Sequence, residues 1–121
     1  MARTAFRIQL VLAGIVVAGV FIQVYLIASY IFGADSLDAH KNVGFVVHIF
    51  EVLTFIAALV ARHDRLLALG LAVIGTGQLA LAEADEYIGG LHGLLALVVL
   101  VLAGAILARG LAHGPRAPQA V

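Results

Sequence analysis

Charge placement constrains this chain more than any other feature. Of its fourteen charged residues, thirteen lie at the two ends or in three short gaps, and between the gaps run four apolar stretches. A helix crossing the hydrocarbon of a bilayer needs roughly 20 apolar residues. The stretches over residues 8–32, 43–61, 66–82 and 87–108 meet or approach that length. The composition agrees: 64% of the 121 residues are hydrophobic and the mean hydropathy is +1.14, where a soluble domain is about half apolar. The expected fold is all-α, a single integral-membrane domain over residues 1–121.

The connections span residues 33–42, 62–65 and 83–86. Links this short force neighbouring helices antiparallel, giving an up-down-up-down four-helix bundle. Arg3, Arg7, Arg62, Arg65, Arg109 and Arg116 all fall on one side of it, and only Lys41 on the other. By the positive-inside rule both termini are cytoplasmic, as for a multi-pass protein of a bacterial inner membrane. The gaps carrying Asp35, Asp38, Glu83, Asp85 and Glu86 then face outward. The uncharged run over 8–34 is longer than the apolar region of a signal peptide, so the first helix is expected to be retained. Tyr25, Tyr30 and Tyr87 make a thin interfacial belt, since tryptophan is absent. The tail after Ala108, with two prolines, reads as a frayed end.

Cysteine is also absent, which removes disulfides, thiolate zinc, iron–sulfur clusters and covalent haem attachment. The zero net charge gives no reason to expect a nucleic-acid partner. The chemistry must come from the polar residues left near or inside the spans. His40 and His92 each open an outside-to-inside helix, the second and the fourth, so they lie on one side at similar depth. In an up-down bundle those helices are diagonal, roughly 11–14 Å apart given neighbour spacings of about 8–10 Å. Two imidazoles with an iron between them need about that span. Gly44 and Ala96, one turn deeper on the two faces, with Gly89, Gly90 and Gly93, offer room for a flat macrocycle. The expected cofactor is a non-covalent haem b with His40 and His92 as axial ligands. His48 is the alternative ligand on the second helix, but it lies about 12 Å deeper by helical rise. His63 and His113 fall in basic segments and read as solvated.

A repeat reinforces the pairing. Gln23 precedes His40 by 17 residues, and Gln78 precedes His92 by 14. Each half is a helix with one glutamine, an acidic loop, then a histidine opening the next helix. Glu51 is the one charge within a span, with His48 on its face; with Gln23 and Gln78 it is expected to form a polar layer below the cofactor. That layer suits a proton path, a quinone contact or helix registration. The outer acids with the two histidines could hold a divalent cation.

The pattern resembles one half of haem A synthase, a family of two four-helix bundles in which the second and fourth helices of each half supply haem-ligating histidines. His40 and His92 match by helix and position. The stretch His40-Lys41-Asn42-Val43-Gly44 is also similar to the His-Arg-x-x-Gly opening of small bacterial four-helix membrane families. Haem A synthase carries a glutamate three residues before its substrate-site histidine, where this chain has Leu37, with Asp38 out of register. The resemblance therefore implies binding of haem and not its oxidation. The expected function is a small b-type cytochrome exchanging electrons with a quinone or a redox partner protein, in a bilayer, as a monomer or homo-oligomer. The alternatives are a proton-coupled small-solute transporter centred on Glu51 and His48, and an accessory membrane subunit without chemistry of its own.

Overall fold

The computed structural model describes residues 1–34, 36–82, 84 and 86–113, the side chains of 86, 87 and 113 excepted. All regular structure among them is helical: α1 Ala2–Ile31, α2 Asp38–Ala61, α3 Arg65–Ala82 and α4 Glu86–His113. All four are long and apolar enough to cross a bilayer, with mean hydropathies of 1.6 to 2.6 over their best windows. Large apolar side chains such as Phe21, Val24, Phe45, Ile56, Val73, Leu97 and Val101 stand on the outer surface. In water a coat of this extent would aggregate; against lipid it is the favourable surface. This is a multi-pass membrane protein.

The helices form a square in which each packs on its two neighbours, α1 on α2 and α4, and α3 on α2 and α4. Packing is closer within each sequential hairpin, α1–α2 and α3–α4, than between the two. The centre is filled largely by small and branched residues: Ala13, Val16, Val20, Val47, Ala58, Ala68, Leu71, Val99, Ala103 and Ile106. Lipid removes the hydrophobic drive between helices, so small side chains that let backbones approach become the packing device.

Three helix ends differ from the apolar boundaries. α1 starts at Ala2, α2 starts at Asp38, and α4 continues to His113. Hydropathy marks where lipid ends, whereas a helix ends where its terminal backbone groups find other partners. At α2, Ser36 Oγ accepts the Asp38 N–H at 2.9 Å, and Asp38 in the first turn complements the helix dipole. His40 thus lies inside the first turn of α2. At the other end, the expected fraying after Ala108 gives way to helix: Gly110 packs against Leu10 of α1, and Arg109 grips Asp64 through Nε at 3.0 Å and Nη2 at 2.9 Å. The α2–α3 turn is tight, with Arg62 and Asp64 both left-handed, at φ 58° and 47°.

Candidate functional site

His40 comes from the first turn of α2 and His92 from the second turn of α4, on diagonal helices whose backbones are not in close contact. Their side chains bridge the diagonal. The ring centroids stand 6.1 Å apart with the planes at 69°. Two imidazoles joined by an in-line N–H···N bond would have centroids about 5.2 Å apart, given an N···N distance of about 2.9 Å. Two imidazoles in line on one ion, with bonds of about 2 Å, have centroids about 6.2 Å apart. The observed spacing exceeds the first of these distances and is close to the second.

The hydrogen bonds around the pair repeat in the two hairpins. His40 Nδ1 lies 3.3 Å from the backbone oxygen of Gln23, and His92 Nδ1 lies 3.0 Å from that of Gln78. In return the Gln23 side chain donates from Nε2 to the His40 carbonyl at 2.9 Å, and Gln78 does the same to His92 at 2.9 Å. Each glutamine and histidine thus form a reciprocal clasp between adjacent helices. The clasp fixes the tautomer: a carbonyl oxygen only accepts, so Nδ1 carries the proton and Nε2 of the neutral ring keeps its lone pair. Neither Nε2 has a hydrogen-bond partner among the described residues. Holding the outer nitrogen on a carbonyl is the usual way a metal-binding imidazole is oriented.

The donor set bears on what such a pair could hold. Among the described residues no three His, Asp or Glu side chains converge on one point. Zinc normally takes four protein ligands, or three with a water, so two imidazoles leave most of a bare ion's coordination unmet. A haem brings four nitrogens of its own and asks the protein for only two. His40 and His92 match that demand in number, each with Nε2 free among the described residues. The cation site suggested by the outer acids rests largely on Asp35, Glu83, Asp85 and Glu86, which lie outside the described residues or side chains; Asp38 is exposed.

Other expected site residues take different places. Gly44 makes room for Gln23: a Cβ there would stand 2.8 Å from Gln23 Nε2. The expected role of clearing space for a macrocycle therefore yields, at Gly44, to the clasp. Gly93 is exposed with open space around it, Gly89 backs onto the carbonyls of Leu81 and Ala84, and Ala96 is half-buried. Gln23 and Gln78 do not join Glu51 in one layer: their Nε2 groups donate to the histidine carbonyls.

Deeper in the bundle Glu51 is 2% exposed, and its Oε2 lies 3.0 Å from His48 Nδ1. His48 is thus turned to Glu51, while it is His40 that meets His92. Across from them Gly75 of α3 leaves the space: a Cβ there would collide with Glu51 Oε2 and come within 3.1 Å of His48 Nδ1. His63 is less solvated than expected. Its ring meets the edge of Phe6 at 4.9 Å, and its carbonyl accepts from the fully buried Gln9 at 3.1 Å. The His113 side chain lies outside those described. Gln9 and the Asp64–Arg109 pair escape sequence reasoning; the one available signal was an amide within the first apolar run, two residues after Arg7.

Comparison with known proteins finds no matching family, no similar curated protein and no matching solved structure.

Proposed function

We propose that this chain is a small b-type cytochrome of the membrane, binding one haem between His40 and His92 and passing electrons to and from a quinone or a redox protein. The observation that carries this reading is the 6.1 Å spacing of two clasped imidazoles, each with its Nδ1 committed to a glutamine carbonyl. When bound, the haem supplies a one-electron couple. His40 and His92 would hold the haem iron through their Nε2 lone pairs, and Gln23 and Gln78 would keep the rings in that orientation and tautomer. Two protein ligands to the iron would favour electron transfer over oxygen chemistry. Arg3, Arg7, Arg62, Arg65 and Arg109 at the opposite end favour an orientation with both termini in the cytoplasm and the histidines near the outer face, as in a bacterial inner membrane.

The test is a visible spectrum of protein purified in detergent from haem-replete cells. The expected result is a Soret band with resolved α and β bands on reduction. His40→Ala and His92→Ala should each abolish or sharply weaken haem retention, while His48→Ala should retain it. A colourless wild-type preparation would sink the proposal.

A further inference from the structure

Glu51 stands apart from the histidine pair as the one charged residue inside an apolar span. Among the described residues, its surroundings hold little else that could balance a charge. Between Ile8 and Ile31, α1 has no Asp, Glu, Lys, Arg or His, and its tyrosines, Tyr25 and Tyr30, are exposed. After Arg65, α3 has none either, and α4 between Ile88 and Ala108 has only His92. Thr54, buried one turn further on, donates its hydroxyl to the Phe50 carbonyl at 2.7 Å. Glu51 therefore depends on His48 alone, 3.0 Å away, and α3 accommodates the two by having a glycine at position 75.

A carboxylate beside a neutral imidazole carries one net negative charge, and one added proton makes the pair neutral. In a low-dielectric span, with no other counter-charge, the proton count of the pair answers to whatever other charge changes nearby. Glu51 lies eleven residues beyond His40 on the same helix, about 16 Å by helical rise. Charges that far apart in water are largely screened by salt, but within an apolar bundle they are not.

We infer that Glu51 and His48 form an intramembrane proton-binding site whose occupancy is linked to the oxidation state of the haem held by His40 and His92; the inference rests on the haem reading. Transfer of one electron from a one-electron donor to the iron is accompanied by uptake of a proton from the aqueous phase. The new bond is an O–H on Glu51 or an N–H on His48. Reoxidation returns electron and proton.

Equilibrium redox titration of the purified holoprotein over a series of pH values tests this, with proton uptake on reduction read in parallel by a pH indicator in weak buffer. For the wild type the midpoint potential should fall as pH rises. Glu51→Gln keeps the size and a hydrogen-bond partner for His48 but cannot ionise. It should leave the haem spectrum unchanged, flatten the slope and reduce proton uptake per electron, while Glu51→Asp should retain a slope. Should Glu51→Gln fail to assemble, His48→Gln serves, and it should shift the pH window of the slope. A red wild-type protein whose potential ignores pH, a Glu51→Gln variant with the wild-type slope, or a His48→Gln variant with an unmoved window overturns the proton site and leaves the haem reading intact. A colourless wild type overturns both.

Discussion

The two clasps show how single residues set a ligand geometry. Gln23 and Gln78 each spend an amide on the carbonyl of the histidine whose ring they orient. Replacing one by leucine removes one hydrogen bond, worth about 1 kcal/mol. Its effect appears as lost preorganisation of the rings. Haem titration of the stripped protein should show affinity roughly fivefold lower for Gln23→Leu or Gln78→Leu. Because both clasped rings would hold the same haem, the double variant should depart from the product of the two single losses, a coupling that the double-mutant cycle reads. The spacings of 17 and 14 residues mark the two glutamines as counterparts in a repeat, but the sequence points them at Glu51 and not at the histidines they clasp. The partner atoms are not legible there, because one helical turn of difference in register changes which side chain or backbone group lies opposite.

At the scale of elements, glycine and backbone conformation decide how closely helices meet. Gly75 lets α3 lie against Glu51. Gly75→Ala puts a methyl group where the carboxylate stands, so it should destabilise the protein by about 1–3 kcal/mol, as overpacking does, read as a lower midpoint of thermal unfolding in detergent. The α2–α3 turn carries the opposite opportunity. Arg62 caps α2 in the left-handed conformation, which costs a non-glycine residue about 1 kcal/mol. Arg62→Gly should recover much of that and raise the unfolding midpoint. Hydropathy located all four helices, yet it placed their ends at the edges of the apolar runs. The ends of α1, α2 and α4 fall elsewhere because capping, the helix dipole and contacts such as Arg109 with Asp64 operate outside the lipid.

The whole molecule is two helical hairpins, each with a glutamine–histidine clasp at the same end, facing each other across a diagonal. Arg3, Arg7, Arg62, Arg65 and Arg109 concentrate at the opposite end. With no native cysteine in the chain, orientation can be mapped directly. A single cysteine at Ala34 should react in intact cells with a membrane-impermeant thiol reagent, and one at Ala112 only after lysis. The reverse pattern would place the histidines at the cytoplasmic face.

The sequence by itself determined the number of helices, their antiparallel order and the membrane as their solvent. Those follow from where charge is tolerated in hydrocarbon, which is a property of each segment alone. It also singled out His40, His92 and Glu51, since each is costly where it stands. Only the tertiary structure decided that Gly44 makes room for Gln23, that Glu51 takes His48 and not a glutamine, and that the two imidazoles stop 6.1 Å apart. Such contacts depend on the rotation and depth of each helix against its neighbours. Packing of side chains from separate helices sets both, and no single apolar run encodes it.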